Sequence, residues 1–150
     1  MNLTITQESP LAEEGRALIE GSEDALRAVY TIDECFTFTA EELDTPNIQF
    51  FVARKEGKPL GCVALCACDE YAEIKRLFVT PTARGTGAAR ELMHHIESLA
   101  LEAGYKIIRL ETGPKLAAGV ALYKNLGYHE RGPFGDYPNH PASLFMEKSL

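Results

Sequence analysis

Apolar residues dominate three consecutive stretches in the middle of the chain, at residues 48–54, 60–68 and 71–79. Stretches of this length and pattern, bounded by polar and turn residues, predict β-strands. The first two are joined by Lys-Glu-Gly-Lys at 55–58, which predicts a hairpin turn. Ahead of them, Leu3 and Ile5 alternate with threonines and predict a short first strand.

Helical periodicity is clearest at residues 88–103, and Gly104 ends it. Ahead of the strands, Ser9-Pro10 predicts the start of one helix. Ser22 predicts the cap of a second helix that reaches Tyr30. Thr39-x-x-Glu42 has the form of a capping box and predicts a single helical turn.

The last third of the chain predicts a strand at 106–110, a helix at 114–126 that Gly127 ends, and a Gly- and Pro-rich loop at 132–141. A final strand is expected at 142–147. Helices, then an antiparallel meander, then β-α-β-α-β predict an α/β (α+β) fold: a mixed, mostly antiparallel sheet with helices on both faces. With 150 residues, we expect one domain over 1–150.

Composition narrows the classes of partner. The net charge of −7 argues against nucleic acid, whose binding depends on Lys and Arg contacts to phosphate. No apolar run approaches the length of about 20 residues that crosses a membrane, and the first residues do not resemble a secretion signal. We therefore expect a cytoplasmic protein without a membrane or nucleic-acid partner, and leave a homodimer open.

Even numbers of positions separate Cys62, Cys66 and Cys68, so a strand would place all three on one face. A zinc site would need a fourth ligand at suitable spacing, and Leu65 and Ala67 supply none. We therefore expect small apolar packing and no metal.

A Gly-rich turn lies between the third predicted strand and the helix at 88–103, with the sequence Arg84-Gly85-Thr86-Gly87-Ala88-Ala89. Free backbone N–H groups and the positive end of the helix dipole meet at such a turn. This arrangement binds phosphate, and pyrophosphate in particular. The sequence therefore points to a phosphate-bearing cofactor.

Two familiar phosphate-binding turns fit this segment poorly. A nucleotide P-loop needs Lys and Ser or Thr after its last glycine, where this chain has Ala88 and Ala89. A dinucleotide fold is closer, because Glu111 ends the next predicted strand where a ribose-binding acid would lie. Against it, Arg90 stands at the third glycine position and the first glycine follows the strand by several residues.

A third interpretation rests on a resemblance over residues 48–150. Arg84-x-x-Gly87-x-Ala89 resembles the [Gln/Arg]-x-x-Gly-x-[Gly/Ala] motif of the GCN5-related N-acetyltransferases (GNAT family). Residues 73–81 are similar to the strand and loop before that motif, and residues 122–128 to the family's Leu-Tyr-x-x-x-Gly-[Phe/Tyr] segment. The resemblance implies a small single-domain acetyltransferase whose sheet splays at the cofactor.

The same resemblance implies acetyl-CoA as cosubstrate, with its pantetheine arm paired to the end of the motif strand and its pyrophosphate on the turn. The Val79 N–H would face the thioester carbonyl. The implied cofactor contacts are Leu77, Phe78, Val79, Arg84, Gly85, Thr86, Gly87, Ala88, Ala89 and Arg90. Many relatives carry Asn where this chain has Leu116, so one polar cofactor contact is expected to be absent.

Two residues are candidates for catalysis of acetyl transfer to a primary amine of a small molecule or peptide. Tyr123 is the candidate general acid, because a phenol with a pKa of about 10 can donate to a leaving thiolate. Glu73 is the candidate base or ammonium anchor. The alternation of a strand places Glu73 on the same face as Lys75 and Leu77, so Glu73 could instead pair with Lys75. The alternative function is a non-catalytic acyl-CoA-binding or sensor domain.

Overall fold

One seven-stranded sheet organises the protein in the computed structural model, which describes residues 3–150. The strands follow the spatial order β1-β2-β3-β4-β5-β7-β6. Every neighbouring pair is antiparallel except β4 and β5. The strands are β1 (Thr4–Gln7), β2 (Ile48–Lys55), β3 (Lys58–Ala67), β4 (Ala72–Val79), β5 (Ile107–Thr112), β6 (His129–Arg131) and β7 (Leu144–Ser149). The predicted mixed, mostly antiparallel sheet is confirmed.

Within the described residues, four α-helices cover the two faces of this sheet: α1 (Glu13–Arg27), α2 (Ala40–Leu43), α3 (Ala88–Glu102) and α4 (Ala117–Asn125). Short 3₁₀ turns lie at Ile32–Glu34 and Pro81–Ala83. The capping box that predicted α2 is present, with the Thr39 hydroxyl accepting from the Glu42 N–H at 3.2 Å. None of these helices is both long and apolar enough to cross a membrane.

The expectation that one helix starts at Ser9-Pro10 and a second starts at Ser22 was wrong. A single helix, α1, runs through Ser22, whose hydroxyl donates to the Ile19 carbonyl at 2.8 Å instead of capping a new helix. Strand β6 was also missed, because its three residues are too few to show a periodicity.

Two apolar cores lie on opposite faces of the sheet. Between the sheet and helices α3 and α4, the largest buried side chains include Leu92, Met93, Ile96, Ile108 and Met146. Under α1 and α2, the core includes Leu18, Leu43, Phe50, Cys62 and Cys66. The cysteines of β3 are therefore packing residues. Among residues 3–150, no three His, Cys, Asp or Glu side chains are grouped as metal ligands.

Strands β4 and β5 pair for only part of their length. Their parallel ladder joins Ala72 to Ile108 and ends at the pair of Ile74 and Leu110. Beyond it, β4 continues along β3 as far as Val79, whereas β5 continues along β7 as far as Thr112. A gap therefore opens between the carboxyl ends of two neighbouring strands, as expected for a sheet that splays.

A β-bulge lies in β4 next to this gap. Lys75 pairs with Ala64 and Phe78 with Cys62, so β4 has one residue more than β3, and Arg76 takes a φ of +55°. An extra residue reverses the alternation of side chains between the two faces. Leu77 therefore packs with the core under α3 and Phe78 with the core under α1, and the prediction that Leu77 shares a face with Lys75 was wrong.

Candidate active site

A cavity of about 500 Å³ opens where β4 and β5 separate. Its walls come from the end of β4, the end of β5, helix α4, the second half of α1 and the loop that follows α1. Its lining residues include Tyr30, Glu34, Phe36, Thr37, Arg76, Leu77, Phe78, Val79, Arg84, Ala89, Glu111, Leu116, Tyr123 and Ala142.

One end of the cavity meets the Gly-rich turn. Gly85 and Gly87 have φ values of +79° and +87°, a region that favours glycine. The first hydrogen bond of α3 runs from the Glu91 N–H to the Gly87 carbonyl at 3.0 Å, so the N–H groups of residues 88–90 have no helical acceptor. A Cβ built on Gly85 would meet no atom within 4 Å, so the space against this backbone is open.

The other residues of this turn differ in their positions. Arg84 and Ala89 line the cavity. The Thr86 hydroxyl bonds to the Ala83 carbonyl within the turn. Arg90 points toward α4, where its Nη2 lies 3.5 Å from the Asn125 Oδ1. Hydrogen-bond donors at this end therefore come from the backbone at the start of α3 and from Arg84, whereas Arg90 is directed to α4.

The three residues predicted at the end of the motif strand, Leu77, Phe78 and Val79, all line the cavity. The Thr80 N–H donates to the Leu60 carbonyl at 2.8 Å. In an antiparallel ladder hydrogen-bonded and non-bonded pairs alternate, so the next pair, Val79 with Gly61, is non-bonded. The Val79 N–H therefore points away from β3, toward the gap.

Tyr123 extends from α4 into the cavity wall and is only 8% exposed. Its ring packs edge-on against Tyr128, with the ring centroids 5.9 Å apart. Burial, together with the negative charge of Glu111, raises the pKa of Tyr123 above its ordinary value. The phenol is therefore protonated at neutral pH and can serve as a proton donor.

Glu111 is an acidic residue of the cavity that the sequence analysis did not propose as a base. It lies at the end of β5 and lines the same cavity as Tyr123. Burial raises the pKa of Glu111 to about 7, although the Ser143 hydroxyl donates to its Oε2 at 2.7 Å and opposes the shift. A carboxyl with this pKa can take a proton from an ammonium group near neutral pH. The signal in the sequence was its place at the carboxyl end of a strand beside the motif strand.

Among the described residues 3–150, Glu73 does not line the cavity. It is 4% exposed, and its Oε2 lies 2.9 Å from the Lys75 Nζ and 2.6 Å from the Tyr137 hydroxyl. The pairing with Lys75 that the sequence left open is thus the one formed. Glu111, rather than Glu73, shares a cavity with Tyr123.

Arg76, the bulged residue, holds the loop after α1 against the sheet. Its guanidinium donates to the Ser22 hydroxyl, the Glu23 carboxylate, the Thr37 hydroxyl and the Phe38 carbonyl at 2.8–3.0 Å. Only 2% of the side chain is exposed. These bonds keep a buried charge satisfied and stabilise the unusual φ of Arg76.

A contact between two loops lies over the cavity at the end of α1. The Tyr30 hydroxyl accepts from the Lys115 N–H at 2.8 Å, and a Cβ on Gly113 would collide with that hydroxyl. The loop after α1 therefore packs directly on the loop between β5 and α4. Glu34 and Glu111 make this end acidic, while Tyr30 and Phe36 make it partly apolar.

Residues 15–128 match the model of the Acetyltransferase (GNAT) family. The chain belongs to this family. An IAA acetyltransferase of Azospirillum brasilense is 43% identical over 151 residues, which cover 99% of each chain. The predicted family and its fold are thereby confirmed, and the protein is an acyltransferase.

Solved GNAT structures superpose on the whole chain. A Klebsiella pneumoniae protein assigned as an acyl-CoA N-acyltransferase is 30% identical with a TM-score of 0.83, covering 99% of this chain and 97% of its own. The PaiA N-acetyltransferase of Thermoplasma acidophilum, crystallised with coenzyme A, is 19% identical with a TM-score of 0.78 and full coverage of both chains. At 19% identity, the likeness to the Thermoplasma protein shows a shared fold.

The raised pKa of Glu111 predicts how stability depends on pH. The folded state holds this proton more tightly than the unfolded state, so the carboxyl lowers stability as pH rises from about 4.5 to about 7. Glu111→Gln should be more stable than the parent by up to about 3 kcal/mol above pH 7, and the gain should disappear below about pH 4.5. Urea unfolding at several pH values measures this difference.

Glu102→Gln, at an exposed acid at the end of α3, is the control for loss of a charge. It should change stability much less over the same interval. A Glu111→Gln effect that is independent of pH would contradict a buried, titrating carboxyl.

Proposed function

We propose that this protein is an acetyl-CoA-dependent N-acetyltransferase that moves an acetyl group to a primary amine of a small molecule or peptide by direct attack on the thioester. The observation that carries the proposal is that one cavity joins the Gly-rich turn to Tyr123 and Glu111. An anion-binding turn, a proton donor and a proton acceptor along one cavity are what this transfer requires.

The cofactor is proposed to enter through the gap between β4 and β5. Its pyrophosphate accepts from the N–H groups at the start of α3, where Gly85 and Gly87 allow a close approach. Its pantetheine arm follows Leu77, Phe78 and Val79. The family and the coenzyme A complex of the Thermoplasma protein support this choice of cofactor.

The proposed reaction starts when Glu111 takes a proton from the acceptor's ammonium group. The amine nitrogen attacks the thioester carbonyl carbon, and the oxyanion that forms accepts a hydrogen bond from the Val79 N–H. The nitrogen of the intermediate, which carries a positive charge, loses a second proton to solvent. The intermediate then collapses, the carbon–sulfur bond breaks, and Tyr123 donates its proton to the coenzyme A thiolate. Solvent returns a proton to Tyr123 and removes one from Glu111.

The acceptor is proposed to bind at the end formed by Tyr30, Glu34, Phe36 and Glu111. The two carboxyls favour a cationic amine, and the aromatic rings favour an apolar body beside it. A suitable panel of amines contains benzylamine, tyramine, spermidine and a short peptide with a free amino terminus. IAA, which appears in the name of the Azospirillum relative, is assayed separately from these amines. Release of coenzyme A thiol with any amine, and none without one, tests the proposal against a non-catalytic acyl-CoA sensor.

The role of the Gly-rich turn can be tested with two matched glycines. Gly85 and Gly57 both have a φ of +79°, and a Cβ on either would meet no atom within 4 Å. Alanine at either position should therefore cost a similar strain of about 1–2 kcal/mol. Only Gly85→Ala should weaken coenzyme A binding, by at least about tenfold, because its Cβ occupies space needed by phosphate. Calorimetric titration of both variants measures this.

Similar coenzyme A affinities for Gly85→Ala and Gly57→Ala would contradict a phosphate site at this turn. Gly57 lies in the turn between β2 and β3, so it reports the effect of strain alone.

Tyr123→Phe tests the proton donor. General acid catalysis contributes about 10²–10⁴-fold, so kcat should fall at least about tenfold when solvent replaces the hydroxyl in part. Coenzyme A affinity should change little, because the ring still packs on Tyr128. Tyr105→Phe is the control, since it removes a hydroxyl that bonds to the Cys68 carbonyl away from the cavity wall. Equal kcat in both variants would show that Tyr123 only packs.

A further inference from the structure

A buried polar cluster lies beside the cavity on the α1 face of the sheet. The Lys75 Nζ lies 2.9 Å from the Glu73 Oε2 and 3.0 Å from the Tyr137 hydroxyl, which itself donates to Glu73 at 2.6 Å. The same ammonium lies 3.9 Å from the centroid of the Phe38 ring. Glu73 and Lys75 are 4% and 9% exposed. We call Glu73, Lys75, Tyr137 and Phe38 the β4 cluster.

The β4 cluster joins two loops to one strand. Phe38 belongs to the loop between α1 and α2, and Tyr137 to the loop between β6 and β7. The two loops also touch directly, because the rings of Phe36 and His140 pack edge-on with centroids 5.5 Å apart. Lys75 therefore lies where both loops meet the sheet.

The same two loops form the acceptor end of the cavity. In the first, Phe36 and Thr37 line the wall just before Phe38. In the second, Ala142 lines the wall and Ser143 donates to Glu111. A shift of either loop relative to β4 would therefore change the shape of this end and the hydrogen bond that orients Glu111.

We infer that Glu73, Lys75 and Tyr137 are positioning residues that set the acceptor end of the cavity by holding these two loops against β4. The inference rests on the proposed function, since it assigns the acceptor to that end. Glu73 and Lys75 pair with each other on β4, and the loops add the Tyr137 hydroxyl and the Phe38 ring to that pair. A loop that moved away would take these partners from a buried ion pair, which is unfavourable.

A second cluster of the same chemistry supplies a matched control. The Tyr128 hydroxyl donates to Glu97 at 2.7 Å, and the Lys148 Nζ lies 2.9 Å from the same carboxylate. This cluster joins α3 to β7 and the start of β6, and none of its three residues lines the cavity wall formed by residues 3–150. Tyr137→Phe and Tyr128→Phe therefore each remove one hydroxyl from a Tyr-Glu-Lys cluster while keeping the ring.

The first measurement needs no acceptor. Hydrogen exchange of the whole protein, followed by mass spectrometry, should show faster exchange in peptides covering 33–39 and 134–143 for Tyr137→Phe, on the order of fivefold. Tyr128→Phe should leave these peptides within about twofold of the parent. No difference between the variants in these peptides would overturn the inference, even if acetyl transfer is confirmed.

The second measurement is steady-state kinetics with the amine of the panel that has the highest kcat/KM. Tyr137→Phe should raise the KM for that amine about fivefold and leave the KM for acetyl-CoA within about twofold. Tyr128→Phe should change neither. A loss confined to kcat, or an equal rise in both KM values, would contradict a positioning role at the acceptor end. If no amine is acetylated, the proposed function fails and hydrogen exchange still decides whether the cluster holds the loops.

Discussion

The structure depends on where the parallel pairing of β4 and β5 stops. The ladder ends at Ile74 and Leu110, and from there each strand keeps only its antiparallel neighbour. Backbone groups beyond that point, the Val79 N–H among them, face a gap instead of another strand. Unpaired backbone groups in a buried position are costly unless a ligand or water satisfies them. The gap is therefore both the weak point of the sheet and the proposed binding site, and Tyr123, Glu111 and the Gly-rich turn all border it.

Several buried polar contacts hold the loop beside this gap on the α1 face. The bulge at Arg76 exchanges the sheet faces on which Leu77 and Phe78 lie. The Arg76 guanidinium holds the loop after α1 through four hydrogen bonds. Lys75, one residue earlier, contacts the same loop through the Phe38 ring. Two adjacent cations of one strand thus contact the segment that encloses the proposed acceptor end, and each has a buried or half-buried acid as its partner. Lys and Arg side chains usually lie at protein surfaces, whereas Lys75 and Arg76 are buried beside this cavity.

The sequence predicted the parts of this site that depend on local pattern. The Gly-rich turn, the start of α3 and Tyr123 follow from short motifs whose spacing is set by one strand and one helix. It did not predict the parts that depend on tertiary register. Simple alternation of residues along a strand does not include a bulge, so the pattern placed Leu77 on the wrong face. Glu111 and Glu73 are both acids on neighbouring strands, and only their burial and partners show that Glu73 bonds to Lys75 while Glu111 borders the cavity.

A crystal structure of the protein with coenzyme A would show directly whether the cofactor uses this gap. We expect the cofactor to occupy the gap between β4 and β5, with its pyrophosphate on the N–H groups at the start of α3. Its sulfur should lie within hydrogen-bond distance of the Tyr123 hydroxyl, about 3.5 Å. Coenzyme A bound outside the gap, or with its sulfur remote from Tyr123, would contradict the central claim that the end of the β4–β5 ladder creates the active site.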